Sequence, residues 1–381
     1  MVRWGVAMVA VSATLLACTT SGPTPVVTDS AALAAATPPI KVVPVATLDN
    51  PVGFTFTPSG RIIYLERFSG RVRWLNPATG SDRVLAHIHG VNGDGERGAL
   101  GIALHPDWPR QPFVYVYVTR APGAAPLRNQ LLRFRMTDGR LGGMRVLLNA
   151  PISDRTNHNG GRIAFGPDGK LYVVIGDGGD DPSRAQDLAE VRGKVLRLNP
   201  NGSVPGSNPF GTRVWSYGHR NSIGFAFDPT SGRLWETENG PDCNDEINLI
   251  ARGGNFAWGP SEACGNPPSV EDTNQDGPMP RTLPQHAFAQ TIAITGMAFC
   301  HGCGLGAAYQ GDLLFGCANG NCKTTVGPIG HVDLTSDRAG LAGPPAKIPT
   351  DYAGPIYSME VGPDGRIYVS DQRGIYQLTP A

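Results

Sequence analysis

The chain has 381 residues, with 32 basic against 32 acidic side chains, 40 % hydrophobic residues and 17 % charged ones. A zero net charge gives no global electrostatic reason to seek nucleic acid, and this balance of apolar and charged residues excludes a disordered chain or a long coiled coil. The 50 glycines and 34 prolines favour many turns and few long helices.

Residues 1–18 read as an export signal. Arg3 supplies a positive start, Val6 to Leu16 an apolar stretch too short to span a bilayer comfortably, and small residues follow. Leu15-Leu16-Ala17-Cys18 resembles a bacterial lipobox, whose cysteine carries the lipid anchor; the alternative is cleavage after Ala17 with no lipid. Residues 19–40, rich in Thr, Ser, Ala and Pro, then read as a flexible tether. The folded body, residues 41–381, begins near Lys41 and is expected outside the cytoplasm. It contains no stretch long and apolar enough for a transmembrane helix.

Along the body one pattern recurs: an apolar run, a turn of the Pro-Asp-Gly type, then a β-rich run containing an aromatic. It stands at Pro58 to Tyr64, Pro167 to Tyr172, Pro229 to Trp235 and Pro363 to Tyr368, with degenerate copies at Pro106 to Val118 and Tyr309 to Phe315. Proline presets φ for the second turn position, and glycine accepts a positive φ where a Cβ would clash. Six such copies predict six blades of four short antiparallel strands, an all-β six-bladed β-propeller whose radial packing hides the sheet edges. The ring must close on itself. Lys41 to Leu48 is expected to add a strand beside Gly374 to Leu378. The competing arrangement, two β-sandwiches, needs a central linker that the sequence does not display.

Six cysteines follow Cys18. An even number in an oxidising compartment argues for disulfides, with Cys243 and Cys264 bracketing one local segment. Cys300-x2-Cys303 and Cys317-x4-Cys322 could also ligate zinc tetrahedrally. A covalent haem is excluded, because Gly304 rather than His follows Cys303.

Three stretches carry side chains suited to chemistry. In the first, Asn157-His158-Asn159-Gly160-Gly161-Arg162 precedes a blade motif and Asp177 follows it. An aspartate at that spacing can fix the tautomer of His158 and raise its basicity, as a general base needs; the plainer reading is a capping His and a backbone-binding Asp. The second is Tyr217-Gly-His-Arg220-Asn221, where a guanidinium fork and a neighbouring amide can hold an anionic oxygen. The third, Glu238 to Glu246, clusters carboxylates with Gly240 and Pro241, hard oxygen donors that suit calcium better than zinc. Without an ion it is only an acidic turn.

Taken in order, Gly95-Glu96-Arg-Gly-Ala-Leu-Gly to His-Pro106, His158-Asn-Gly-Gly-Arg162, Tyr217-Gly-His-Arg-Asn221, Asp245-Glu-Ile-Asn248 and Gly253-Gly-Asn-Phe-Ala-Trp258 resemble the soluble PQQ-dependent glucose dehydrogenase and aldose sugar dehydrogenase family. The resemblance implies a six-bladed propeller that holds pyrroloquinoline quinone (PQQ) and calcium and oxidises the C1 hydroxyl of an aldose to a lactone, passing electrons to an external acceptor. It implies His158 as the base, Asp177 as its orienting partner and Arg220 as the group stabilising charge on the reduced quinone. Cofactor contacts fall to Glu96, Asn157, Arg220 and Asn221, and the calcium region to Gly240, Pro241, Asp245 and Glu246. Two departures from the family pattern are visible: Glu96 stands where a glutamine is usual, and Gly354 to Glu360 carries no arginine before the last Pro-Asp-Gly turn. A lysine from the preceding blade is expected only at Lys323. Two rival functions stay open, a glycan- or protein-binding propeller without the quinone and a calcium-dependent lactonase-like hydrolase.

Overall fold

The computed structural model describes residues 37–259, 277–319, 322 and 324–381. The export signal with Cys18, the tether as far as residue 36, Cys264 and Lys323 lie outside the described residues. Ile40, assigned above to the tether, is instead buried as the first residue of a strand.

The strands form six four-stranded antiparallel sheets. Blade 1 comprises β2 (Phe54–Phe56), β3 (Ile62–Leu65), β4 (Arg71–Asn76) and β5 (Ser81–His87). Blade 2 comprises β6 (Ala99–Leu104), β7 (Phe113–Arg120), β8 (Arg128–Thr137) and β9 (Arg140–Ala150). Blade 3 has β10 (Ile163–Phe165), β11 (Leu171–Ile175), β12 (Lys194–Leu198) and β13 (Val214–Tyr217), and blade 4 has β14 (Ser222–Phe227), β15 (Leu234–Glu238), β16 (Asp245–Leu249) and β17 (His286–Phe288). Blade 5 has β18 (Ile294–Phe299), β19 (Leu313–Cys317), β20 (Ile329–Val332) and β21 (Ala346–Lys347). Blade 6 joins β22 (Ser358–Val361), β23 (Ile367–Ser370) and β24 (Gly374–Pro380) to β1 (Ile40–Thr47). That last pairing, Lys41 opposite Thr379 and Thr47 opposite Gly374, is the ring closure expected from the sequence. The first strands of consecutive blades touch in cyclic order, β2 to β6 and onward until β22 returns to β2, so they line a central axis. Two separate sandwiches are thereby excluded.

Each recurring Pro/Gly turn joins the first strand of a blade to its second. The second strands of blades 1, 3 and 5 are buried on both faces, which is why they read as largely apolar runs. Their period of two divides them between cores. Ile62 and Tyr64 of β3 pack toward blade 6, whereas Ile63 and Leu65 pack toward blade 2. In β11, Leu171, Val173 and Ile175 face blade 2 while Tyr172 and Val174 face blade 4. The core is thus a series of six clusters, one at each junction between neighbouring blades.

The zinc alternative fails. Cys300 is bonded to Cys303 and Cys317 to Cys322, with Cα atoms 4.9 and 6.2 Å apart, within normal disulfide reach. Cys243 is also disulfide-bonded.

Candidate active site

Antiparallel order decides which residues can meet. The chain runs outward along each first strand, turns, and returns on the second, so residues entering a first strand share a rim with those leaving a second. Glu96 precedes β6, Asn157 and His158 precede β10, Asp177 follows β11, Arg220 and Asn221 precede β14, and Gly240 and Pro241 follow β15. Asp245 and Glu246 open β16 on the same side. Every site residue drawn from the sequence therefore lies on one rim, and the Pro/Gly turns occupy the other.

His158 is 4 % exposed and adopts a left-handed backbone with φ of 56°. That conformation costs a non-glycine residue about 1–2 kcal/mol and needs surrounding bonds to hold it. Its backbone N–H donates to Glu96 Oε2 at 2.7 Å, and the same oxygen accepts from Asn221 Nδ2 at 3.0 Å. Glu96 thus ties the His158 loop to the Asn221 loop. Gly176 lies between them, where a Cβ would collide with the His158 carbonyl oxygen and crowd that of Arg220.

The imidazole Nδ1 lies 2.6 Å from Asp177 Oδ1. Asp177 also accepts from Gly179 N at 2.8 Å and from the Trp258 indole N–H at 2.6 Å, so its carboxylate is fully committed as an acceptor. A carboxylate partner places the proton on Nδ1 and leaves the Nε2 lone pair free. Nε2 has no hydrogen bond among the described residues. Asn157, half-buried, directly precedes His158, and its side-chain amide makes no hydrogen bond among them either.

Trp258 arrives from far along the chain. After β16 the segment returns toward this rim, pairing in parallel with Tyr217 and Gly218 through Tyr217 N to Gly254 O, Phe256 N to Tyr217 O and Trp258 N to Gly218 O. Besides holding Asp177, the Trp258 ring lies 5.3 Å from the Arg220 guanidinium, a cation–π distance. Arg220 Nη1 donates to the carbonyls of Asn239 and Gly240, each at 2.9 Å. Its backbone N–H donates to Glu238, whose other oxygen meets His219 Nδ1 at 2.9 Å. His219 is wholly buried, stacked on Phe256 and bonded to Ser216; burial pushes it down to about 4, so the ring is neutral. Burial raises the Glu238 carboxyl, and raises Glu236 beside it to about 8. His219, Glu236 and Glu238 form a buried support under the Arg220 loop.

The acidic loop divides into two parts. Asp245 holds the loop from beneath: its oxygens accept from Gly240 N at 2.9 Å, Thr291 Oγ1 at 3.0 Å, Ile292 N at 2.8 Å and Ile294 N at 3.3 Å. Glu246 accepts from Asn248 Nδ2 at 3.0 Å. The Gly240 carbonyl, by contrast, faces Arg220 at the rim.

A cavity of about 220 Å³ opens at the axis on this rim, lined by Arg67, Glu96, Thr295 and Tyr357 among others. Arg67 was not singled out in the sequence, yet it stands two residues after β3 as Asp177 stands two residues after β11, so the blade repeat carried the signal. Its guanidinium donates to the Arg97 and Gly95 carbonyls. Neither Arg67 nor Arg220 forms an ion pair with a carboxylate among the described residues.

Residues 48–377 match the Glucose / Sorbosone dehydrogenase family. Quinoprotein glucose dehydrogenase B of Acinetobacter calcoaceticus is 34 % identical over 248 residues, covering 57 % of this chain and 52 % of that protein. The chain thus spans about half the length of that relative. An aldose sugar dehydrogenase of Escherichia coli is 29 % identical over 349 residues, 84 % of this chain and 87 % of its own. The PQQ-bound form of an aldose sugar dehydrogenase from Streptomyces coelicolor superposes with a TM-score of 0.73 at 28 % identity, covering 90 % of this chain and 99 % of the other. The chain belongs to the glucose / sorbosone dehydrogenase family.

Proposed function

We propose that this protein is an exported, PQQ- and calcium-dependent dehydrogenase that oxidises the C1 hydroxyl of an aldose to a lactone. One observation carries the reading: His158 is held through Nδ1 by Asp177, with Nε2 free on the rim that presents Arg220 and Asn221. The residues present suit the cofactor. Buried Arg220 Nε and Asn221 Oδ1 have no hydrogen-bond partner, leaving a donor and an acceptor unused. Arg67 and Arg220 would hold the carboxylates of the quinone, and Arg67 answers the lack of a cation between Gly354 and Glu360. Backbone carbonyls at Gly240 and Pro241 would hold calcium, with Asp245 and Glu246 bracing that loop. When bound, the quinone supplies a two-electron acceptor and calcium a Lewis acid that polarises it.

The chain's own residues supply the proton chemistry and the positioning. His158 Nε2 accepts the proton of the C1 hydroxyl, and the Asp177 carboxylate stabilises the resulting imidazolium. Trp258 and Gly179 keep Asp177 from turning toward water. Arg220 holds developing anionic charge where burial makes the interaction strong, and Asn221 Oδ1 offers an acceptor beside it.

The test is to supply the full chain with PQQ and calcium and to follow dye reduction across a panel of aldoses. Saturable turnover dependent on both sugar and quinone is expected. Neither binding nor turnover at saturating cofactor would replace this reading with a ligand-binding propeller, and lactone hydrolysis with calcium alone would replace it with a hydrolase. Export and lipid attachment rest on residues 1–18; a Cys18→Ala chain released from the membrane fraction is the expected outcome there.

A further inference from the structure

The axis ends in a second cavity on the opposite rim, about 560 Å³, a volume suited to a small organic molecule. Its wall follows from the repeat. The last residues of the six first strands are Phe56, Leu104, Phe165, Phe227, Phe299 and Val361, and all line it. The residues before them are Thr55, Ala103, Ala164, Ala226, Ala298 and Glu360, which line it as well. Small side chains in five blades keep the axis open, and blade 6 places a carboxylate where they have a methyl group or a hydroxyl.

The floor is Arg162, which lines both axial cavities and closes one from the other. Its guanidinium donates to Ser358 Oγ at 2.9 Å, to the Tyr357 carbonyl at 3.2 Å and to the Ile223 carbonyl at 3.3 Å. Glu360 forms no side-chain hydrogen bond and no ion pair among the described residues. Of these two opposite charges, the positive one has its hydrogen bonds from the protein, and the negative one, though it feels the guanidinium, has none.

We propose that this cavity binds an organic cation of the quaternary or alkylated ammonium class, with Glu360 as its counter-ion and the phenylalanine ring as its cage. Aromatic faces attract a diffuse cation through their quadrupoles, most strongly where water is excluded. A neutral apolar ligand would cover the Glu360 carboxyl and give it no hydrogen-bond partner in either protonation state. A bare divalent ion would need several oxygen ligands, and the only side-chain oxygens that the described residues place on the wall are the Glu360 carboxylate and the Thr55 hydroxyl. Burial pushes Glu360 up to about 7, with Arg162 pulling the other way, and an arriving cation favours the ionised form. Besides Arg162, the ionisable groups on the wall are His105 and His301. Binding should therefore strengthen as pH rises through neutrality.

Calorimetry on the full-length protein tests this with choline and its neutral isostere 3,3-dimethylbutan-1-ol. Choline is expected to bind about tenfold more tightly or better, and Glu360→Gln to remove that preference while leaving the isostere unaffected. Ala226→Leu, which fills the cavity, should weaken both ligands without changing PQQ affinity at the other rim. Equal affinity for choline and its isostere in the unmodified protein would overturn the proposal without recourse to any variant. So would undiminished choline binding by a folded Glu360→Gln protein, or no choline binding at millimolar concentrations.

Discussion

The two rims of the axis are made from the same six repeats and have opposite chemistries. On one, tight turns such as 57–61, 166–170 and 362–366 are held by proline and glycine, and the cavity wall sets one carboxylate, Glu360, among apolar side chains, Arg162 and two histidines. On the other, longer connections such as 88–98, 151–162 and 176–193 carry Glu96, His158 and Asp177. The difference is one of constraint. A turn that must reverse the chain within five residues has little room for other chemistry, whereas a longer connection, whether between blades or from a second strand to a third, can vary while the strands beneath it hold register.

That comparison predicts a steep gradient of mutational effects. His158→Ala should lower aldose-dependent turnover by about 10²–10⁴-fold, the usual worth of a positioned base, with the thermal midpoint little changed. Unaltered turnover would move the chemistry away from this rim. Arg162→Met should act on stability instead, since it breaks bonds that join β10 to β14 and β22 across the axis. A loss of about 2–4 kcal/mol is expected in denaturant unfolding. A neutral result would mean that the partition between the two cavities is dispensable.

A smaller effect is expected from Arg67→Ala, which should weaken PQQ binding roughly tenfold in a direct titration while leaving the fold intact. Unchanged affinity would assign the cofactor's carboxylates to other cations. The smallest concerns the hydrocarbon rim. The folded Glu360 carboxyl, raised to about 7, holds its proton longer than the unfolded one near 4.3. Its contribution is therefore complete in acid and is lost as pH rises through 7. Relative to the parent, Glu360→Gln should gain roughly 1–3 °C in melting temperature between pH 5 and pH 8.5, with Arg162, His105 and His301 as the neighbouring charges. A constant offset across that range would show that Glu360 does not titrate there.

The fold was largely legible because its signals are local. A proline and a glycine flanked by β-branched and aromatic residues mark four passages from first to second strand, and two degenerate copies, one without the glycine and one without the proline, complete the six blades. The terminal strand pairing was legible for a topological reason, since a ring with a free edge is unfavourable. His158 and Asp177 could be paired because both lie within one blade, on either side of the same hairpin. Trp258 could not, since its contact with Asp177 spans 81 residues and depends on a parallel pairing that no periodicity announces. Arg67 was hidden for another reason. Cations were sought in the last blades, and the charge stands in the first, which ring closure sets beside the last. Asp245 illustrates a third limit: a carboxylate that binds backbone amides and one that faces an ion look alike until their partners are known.

The joining of β1 to β24 has a consequence for how the molecule is made. The strand that leaves the ribosome first cannot find its neighbour until the final residues, Gly374 to Pro380, have been synthesised. Through nearly the whole of translation, blade 6 is missing and the flanks of blades 1 and 5 are uncovered, an open arc with sticky ends. Holding such a chain apart from its copies until the last strand emerges is a task for chaperones, and a stop codon only a few positions early would leave the arc permanently unclosed.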